Sequence, residues 1–555
     1  MRRRLLCIFF LFIPCLAVAQ DQHPFTFEDM MALKRVADPA VSPDGRWVLF
    51  AATHVDLAAN TRIPHIWVVP VAGGEARQLT SGEGEERPRW APDGKRFLYG
   101  SRKDSQIWTT GFDPESGTLA GEAKAVTSIS TGAEGALWSP DGKHILFVSE
   151  VYPDCADDAC NKARDEAKAK SKVKASLYTR LLFRHWNKWD DGKRSHLFLV
   201  PVEGGSARDL TPGDYDVPPF SLGGQDDYSF SPDGSEVAYT SNHDPVEATS
   251  TNEDIFVVKV ATGETKQVTT NKGADSTPLY SPDGRYIAYK AQLRAGYESD
   301  RWRLMLYERE TGKVTNLTEK FDRWVDSLAW APGSDGLFFT AEEQGQQPIF
   351  WMGMKEQEVE LFAQGHYDEV AVVPESGGFH TSYVVVATRM SAQRPNEIYE
   401  IVWSRGEVHA VPLTNLNDAV FARVHTSELE PFWFRSSDGV KVQGFLVKPP
   451  DFDASKKYPV KFLVHGGPQG AWGDSWTYRW NAQLFAASGY VVVMINFRGS
   501  TGYGQAFIDK INGNWGGGAY RDLMTGLDYA LAKYPFLDRG RVCALGASFG
   551  GYMVN

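Results

Sequence analysis

A short turn sequence recurs along much of this chain at nearly constant spacing. Each copy contains Pro-Asp-Gly, or a degraded form of it, after a serine or an alanine. The copies begin at Ser42, Ala91, Ser139, Ser231, Ser281 and Ala331, so consecutive starts differ by 49, 48, 92, 50 and 50 residues. Proline presets φ, aspartate caps the turn and glycine accepts positive φ, so each copy predicts a tight turn between strands. This period indicates a β-propeller with one four-stranded blade per repeat.

Seven blades are predicted once the irregular intervals are interpreted. The interval of 92 residues holds one ordinary blade and an insertion, which we place at residues 152–194. A last blade is expected near residues 382–414, which have strand patterns but no Pro-Asp-Gly. The insertion opens with a predicted helix over 161–174 and then becomes aromatic and basic. It is either a solvated flap packed by its tryptophans or a lid over the junction with the next domain.

The repeat rhythm ends at Glu428, and strands then alternate with helices. Strands are predicted over 432–435, 440–447, 460–464 and 490–496, and helices over 480–488 and 520–534. This alternation predicts an α/β domain, the first half of an α/β-hydrolase sheet. The predicted fold is thus an all-β seven-bladed propeller over 20–428, followed by an incomplete α/β-hydrolase domain over 429–555 that lacks its C-terminal half.

A candidate nucleophile lies near the end of the printed chain. The apolar strand pattern of 541–545 runs into Gly546-Ala547-Ser548-Phe549-Gly550, a Gly-x-Ser-x-Gly sequence typical of a nucleophile elbow. Gly546 and Gly550 are needed because side chains at these positions would collide with neighbouring backbone in the strained turn. The pattern alone occurs by chance in glycine-rich chains, so its surroundings decide its interpretation.

A second motif supports this interpretation. The predicted strand over 460–464 ends at His465-Gly466-Gly467-Pro468, which has the form of an oxyanion-hole loop. In acyl transfer the carbonyl oxygen becomes negatively charged, and preorganised backbone N–H groups stabilise it. We predict Gly466 and Phe549 as the two donors. An ordinary turn at a strand end is the alternative interpretation of this loop.

The first nineteen residues predict export. Met1-Arg2-Arg3-Arg4 is a basic start, residues 5–18 are almost wholly apolar, and Ala17-Val18-Ala19 supplies small residues for cleavage. This is a signal peptide at 1–19, too short and proline-interrupted for a membrane anchor. We therefore expect a secreted protein, in a bacterial periplasm, with no membrane association after cleavage.

Cysteine usage fits an oxidising compartment. Cys155 and Cys160 are disulfide candidates; the neighbouring aspartates leave a metal site as a weaker alternative, because no histidine accompanies the two thiols. Cys543 is predicted to be a small buried residue. The formal net charge of −12, without an extended basic patch, argues against nucleic acid as a partner. No metal or cofactor is expected.

The combination closely resembles the prolyl oligopeptidase family. The resemblance rests on the seven blades, on His465 to Pro468, on Asn496-Phe497-Arg498-Gly499-Ser500-Thr501-Gly502-Tyr503-Gly504, and on the Ser548 elbow. The His-Gly-Gly-Pro form resembles the acylaminoacyl-peptidase branch, which includes bacterial dipeptidyl-peptidase 5-like enzymes. The resemblance implies that Ser548 attacks the scissile carbonyl, and that a histidine and an aspartate assist it from beyond residue 555. It also implies that the propeller admits short peptides and excludes folded proteins.

Several functions remain open at this stage. The leading one is a serine exopeptidase that cleaves short peptides near their N terminus, as a dipeptidyl peptidase does. An acylaminoacyl peptidase, an esterase and a non-catalytic propeller binding module are the alternatives, and the printed fragment itself is expected to be inactive. Glu85-Glu86, Asp190-Asp191 and Asp368-Glu369 are candidate anchors for a substrate ammonium, although solvated loops explain them more simply. Assembly into a homo-oligomer is compatible with the sequence, which does not decide it.

Overall fold

The structure is a computed structural model that describes residues 22–220, 226–374, 383–404 and 406–555. The predicted signal peptide lies outside these residues. Across the described ranges, no helix has the length and apolar character needed to cross a bilayer.

A short capped helix leads into the propeller. Strand β1 (His23–Pro24) precedes helix α1 (Phe27–Ala32), whose N-cap is Thr26. The Asp29 N–H donates to Thr26 Oγ1 at 3.1 Å, and the Thr26 N–H donates to the Asp29 carboxylate at 3.0 Å. This capping box satisfies donors that the first helical turn would otherwise leave unpaired.

Seven four-stranded antiparallel sheets follow, which confirms the predicted propeller. The first two blades are β2 (Arg35–Val41), β3 (Trp47–Asp56), β4 (Thr61–Pro70) and β5 (Arg77–Gln78), then β6 (Glu85–Trp90), β7 (Arg96–Ser101), β8 (Gln106–Asp113) and β9 (Thr118–Ala125). The third blade begins with β10 (Glu134–Trp138) and β11 (His144–Val151), continues through an insertion with α2 (Asp158–Lys170), β12 (Arg184–His185) and β13 (Lys188–Trp189), and ends with β14 (Arg194–Pro201) and β15 (Arg208–Asp209).

The remaining four blades have the same plan. They are β16 (Tyr228–Phe230), β17 (Glu236–Ser241), β18 (Asp254–Lys259) and β19 (Thr265–Gln267), with a 3-10 turn at Glu247–Thr249; β20 (Asp275–Tyr280), β21 (Tyr286–Ala291), β22 (Arg303–Glu308) and β23 (Val314–Asn316); β24 (Val325–Trp330), β25 (Gly336–Ala341), β26 (Ile349–Gly353) and β27 (Val359–Ala363); and β28 (His366–Val372), β29 (Val384–Ser391), β30 (Arg394–Ser404) and β31 (Glu407–Pro412). The seventh blade thus begins at His366, before the predicted residue 382. No Pro-Asp-Gly turn follows its first strand, so the sequence does not reveal that strand.

The repeated turn explains how each blade is built. In the first blade Ser42 Oγ donates to Asp44 Oδ1 at 2.6 Å, and the Gly45 N–H closes the turn on the Ser42 carbonyl at 2.9 Å. Gly45 has a φ of +68°, a conformation that glycine adopts without strain. The same serine–aspartate bond of 2.6 Å recurs in the third, fourth and fifth blades. Each turn therefore joins the first and second strands of its blade.

Hydrophobic packing between blades closes the ring. Phe50 and Val48 of the first blade share one buried cluster with Val386 and Ile398 of the seventh. Phe50, Val386 and Ile398 are 0% exposed. Burial of such side chains contributes about 1.5–3 kcal/mol each, so the first and last blades are held together without a covalent link.

The insertion leaves the third blade between its second and third strands. Cys155 and Cys160 are joined by a disulfide, and Asp157 caps α2 by accepting from the Cys160 N–H. Among the described residues, no group of three or more His, Cys, Asp or Glu could hold a metal ion. Trp189 contacts other rings of the insertion, but Trp186 is 71% exposed, so the tryptophans do not together form a packed core.

A mixed sheet follows the propeller. Helix α3 (Asp418–Phe421) and strand β32 (Val424–His425), which pairs with β1, lead into β33 (Leu429–Arg435), β34 (Lys441–Val447), β35 (Tyr458–Val464), α4 (Ala482–Ala487), β36 (Val491–Asn496), α5 (Gln505–Asp509), α6 (Gly518–Lys533), β37 (Leu537–Gly546) and α7 (Phe549–Val554). The sheet order is β33-β34-β36-β35-β37, with β35 parallel to both of its neighbours. This is the predicted partial α/β-hydrolase sheet.

The prediction that Cys543 is buried is wrong. Its side chain is exposed, although it lies in β37. In the part of the chain that the structure describes, β37 is an edge strand, paired only with β35. A strand that is apolar by composition is buried only where other elements cover its faces.

Propeller loops hold the hydrolase sheet in place. Arg294 and Asp509 form an ion pair at 3.0 Å. The Asp474 N–H donates to the Gly345 carbonyl at 2.6 Å, and its carboxylate accepts from the Ala392 N–H at 2.7 Å. Arg294, Gly345 and Ala392 all lie between the second and third strands of their blades, at the end where the third blade carries its insertion. The insertion therefore emerges on the face that meets the hydrolase.

Candidate active site

Ser548 occupies a strained turn between strand β37 and helix α7. Its φ of +55° and ψ of −124° are unusual for a residue with a side chain. A Cβ at Gly546 would lie 2.4 Å from the Gly550 carbonyl oxygen, and one at Gly550 would lie 2.2 Å from the Val464 carbonyl oxygen. Both positions therefore require glycine, and the exposed serine is presented at the end of a parallel strand.

The His465 loop lies directly beside this serine. A Cβ at Gly466 would be 3.5 Å from Ser548 Cβ and 3.3 Å from the Ala547 carbonyl oxygen. The structure therefore brings together residues about eighty positions apart. Gly466 lies beside the serine and Phe549, the first residue of α7, follows it directly, so we keep their N–H groups as the proposed oxyanion donors.

His465 connects this loop to the following strand. Its Nδ1 donates to the Gly466 carbonyl at 2.7 Å, and its Nε2 lies 2.9 Å from Ser500 Oγ, which is also 2.7 Å from the Phe497 carbonyl. The ring stacks on Phe497, with centroids 4.2 Å apart, and Phe497 contacts Phe549 at 5.4 Å. Burial lowers the pKa of His465 to about 4. A neutral ring engaged on both sides orients the loop and is not the general base.

Replacing His465 by phenylalanine should alter both turnover and acid stability. The variant keeps the stack on Phe497 but loses the bonds to Gly466 and Ser500, so the loop that carries the proposed donor Gly466 is less well oriented. Removing an oxyanion donor outright costs about 10²–10³ in kcat. For a donor that is only misaligned we expect kcat to fall about 10-fold or more. Wild-type stability falls as pH drops from 6.5 towards 4, because the unfolded histidine binds a proton first. Relative to wild type, the variant should therefore gain about 2–3 kcal/mol in free energy of unfolding between pH 7 and pH 4.5.

Urea unfolding at the two pH values measures this effect. The exposed His409→Phe variant is the control for replacing a histidine by phenylalanine. A His465→Phe variant with the same pH dependence as wild type would show that His465 is protonated in the fold.

Arg498, which follows β36, forms ion pairs with two aspartates from other parts of the domain. Its guanidinium donates to Asp522 at 2.7 and 2.9 Å and to Asp438 at 2.7 and 2.9 Å. Asp522 is 0% exposed and Arg498 is 5% exposed. The hydrogen bonds from Arg498 lower the pKa of Asp438 to about 2. Asp522 is therefore held in a buried ion pair with Arg498.

A cavity of about 340 Å³ adjoins Ser548. Gly466 and Ser548 form one side, and Trp472, Arg479 and Trp480 belong to the lining. This volume lies within the range of about 300–1,000 Å³ for small-ligand sites. The sequence does not predict that Arg479 and Trp472 line this cavity, because a single arginine and a single tryptophan in a long loop form no motif.

The three acidic pairs considered as ammonium anchors have other contacts. Glu85 Oε2 bonds with His65 at 2.8 Å, and Asp190 accepts from the Gly192 N–H at 2.7 Å. Asp368 accepts from Gln347 at 2.6 Å, and Glu369 from the Asp38 N–H at 3.0 Å. None of the pairs is in the described lining of the Ser548 cavity.

Burial nevertheless changes the chemistry of one pair. It raises the pKa of Asp368 to about 6 and that of Glu369 to about 7. The Glu369 residue is partly accessible to solvent, yet the surrounding protein disfavours the charged form of its carboxyl.

Within the described residues, no histidine, aspartate or glutamate side chain is hydrogen-bonded to Ser548. His465 is engaged by Ser500 and Asp522 by Arg498. The described site thus contains the candidate nucleophile and the oxyanion loop.

The fold and this geometry define a class of protein: an α/β-hydrolase domain of the serine type, carried on a seven-bladed propeller. Residues 476–555 match the prolyl oligopeptidase family, and residues 185–295 match the N-terminal region of dipeptidyl peptidase IV. The chain is 32% identical over 537 residues to dipeptidyl-peptidase 5 of Porphyromonas gingivalis, covering 95% of this chain and 76% of that protein. The chain belongs to the prolyl oligopeptidase family of serine peptidases.

Two further similarities extend this result. Dipeptidyl-peptidase 5 of Schizosaccharomyces pombe is 33% identical over 414 residues, covering 70% of this chain and 58% of that protein. The solved acylaminoacyl peptidase of Pyrococcus horikoshii superimposes with a TM-score of 0.75 at 22% identity, covering 96% of this chain and 76% of that one. At that identity the solved structure supports the fold alone.

Proposed function

We propose that this protein is a serine exopeptidase that releases dipeptides from the N terminus of short peptides, with Ser548 as nucleophile. The observation that carries the proposal is the strained Ser548 turn against the Gly466 loop, in a chain of this family. The relatives named dipeptidyl-peptidase 5 favour dipeptide release over removal of acylated residues. The propeller would act as the size filter that admits short peptides.

The mechanism follows from the groups that meet at the turn. Ser548 Oγ attacks the scissile carbonyl carbon, and its proton passes to a histidine base. The carbonyl oxygen becomes an oxyanion that accepts hydrogen bonds from the Gly466 and Phe549 N–H groups. The C–N bond then breaks, the amine leaves with the proton, and water hydrolyses the acyl-enzyme ester. In the chain order of α/β-hydrolases the base and its orienting carboxylate follow the serine, so we assign both to positions after Ser548.

Product analysis of one peptide in two forms tests the substrate class. We expect the complete enzyme to release a dipeptide from a free N-terminal peptide and to leave its N-acetylated copy intact, because the free ammonium defines a dipeptidyl peptidase substrate. Mass spectrometry of the products measures this. Cleavage only after the acetylated residue would instead identify an acylaminoacyl peptidase.

We also propose that the protein is exported. The residues 1–19 predict a signal peptide, and the Cys155–Cys160 disulfide is of a kind that persists in oxidising compartments. A mature protein whose N terminus is still Met1 would contradict this.

A further inference from the structure

The lining of the cavity beside Ser548 includes an arginine without a matching acceptor. Arg479 belongs to its lining and is exposed, and among the described residues its guanidinium has neither an ion-pair partner nor a hydrogen-bond acceptor. No aspartate or glutamate is in the described lining. The cavity therefore carries one formal positive charge that the surrounding described residues do not neutralise.

Three other arginines of the same domain are engaged. Arg498 is held by Asp438 and Asp522, and Arg541 pairs with Asp538 at 2.7 Å. Arg435 donates to the Gly439 carbonyl at 2.9 Å. Among the arginines of this domain, only Arg479 is in the described lining of the Ser548 cavity.

Trp472 is a neighbouring part of the same lining. Its backbone is clamped by the buried Asn496, which accepts from the Trp472 N–H and donates to the Trp472 carbonyl, both at 2.8 Å. Its indole Nε1 is buried, so this N–H is not available to a ligand in the cavity. The clamp on its backbone keeps the residue in the cavity lining.

We propose that Arg479 binds a carboxylate of the peptide substrate, so that this residue determines specificity at the Ser548 cavity. This inference rests on the proposed peptidase function. A guanidinium matches a carboxylate with two parallel N–H···O bonds, which a neutral amide cannot reproduce. The carboxylate is either an acidic side chain next to the scissile bond or the free C terminus of a very short peptide.

Two pairs of substrates separate these sources in the complete enzyme. The first pair has Glu or Gln as the residue before the cleaved bond, and the second has a free or an amidated C terminus. In at least one pair, we expect the wild type to prefer the carboxylate. In Arg479→Gln, the ratio of kcat/KM for the carboxylate over the amide should fall about 10- to 100-fold, as expected for the loss of a charged hydrogen bond.

Control variants make the result specific. Arg479→Lys should retain part of the preference, because it keeps the charge but loses the bidentate geometry. Arg521→Gln removes an exposed arginine of α6 outside the cavity lining and should leave both ratios as in wild type. The pair that responds identifies the carboxylate. If both ratios are the same in Arg479→Gln and wild type while cleavage still requires Ser548, the inference is wrong and the proposed function stands. If cleavage does not require Ser548, the proposed function itself fails.

Discussion

Replacing Ser548 by alanine should reduce kcat of the complete enzyme by at least about 10⁴-fold, and this is the largest effect we expect from any single change. The hydroxyl is the group that forms the acyl-enzyme, and loss of a triad nucleophile in a serine peptidase costs about 10⁶-fold in kcat. The substitution removes one exposed oxygen and leaves the backbone of the turn unchanged. Stability should therefore remain close to wild type, as measured by thermal unfolding.

A matched serine shows whether the effect is local. Ser455 is exposed, and its hydroxyl donates to the Asp453 carboxylate at 2.7 Å. Ser455→Ala should keep wild-type turnover of a free N-terminal peptide. If Ser548→Ala retained more than about a tenth of wild-type kcat, another residue would have to be the nucleophile.

Replacing Arg498 by methionine should lower the free energy of unfolding by about 3–5 kcal/mol. The substitution leaves the Asp522 carboxylate, which is 0% exposed, without its cation. The cost of burying an uncompensated charge exceeds the value of the ion pair itself. Urea unfolding at pH 7 measures the change.

Two comparisons test this explanation. Arg541→Met breaks the exposed pair with Asp538, whose arginine side chain is 57% exposed, and should cost about 1 kcal/mol or less. In the double variant Arg498→Met with Asp522→Asn, part of the loss should be recovered, because the stranded charge is gone. A loss below about 1 kcal/mol in Arg498→Met would show that water reaches Asp522 after the substitution.

Much of the fold could be predicted because its signals are local. The Ser-Pro-Asp-Gly turns close on themselves, with serine, aspartate and glycine in contact within four residues. The seventh blade was placed too late, at residue 382, because its first strand at His366–Val372 lacks that turn. Cys543 was misjudged for a related reason, since burial of a strand depends on what packs against it.

In the candidate site, too, the features set by local sequence could be predicted, and those set by contacts between distant residues could not. By itself, the sequence determined the blade repeat, the order of the two domains and the glycine-flanked Ser548, because turns and nucleophile elbows depend on residues adjacent in the chain. Only the tertiary structure decided that His465 is engaged by Ser500, that Arg498 joins Asp438 to Asp522, and that Arg479 shares a cavity with Ser548. These contacts join residues that are far apart in the chain, and they exist because β35, β36 and β37 pair in one sheet and bring their loops to one edge.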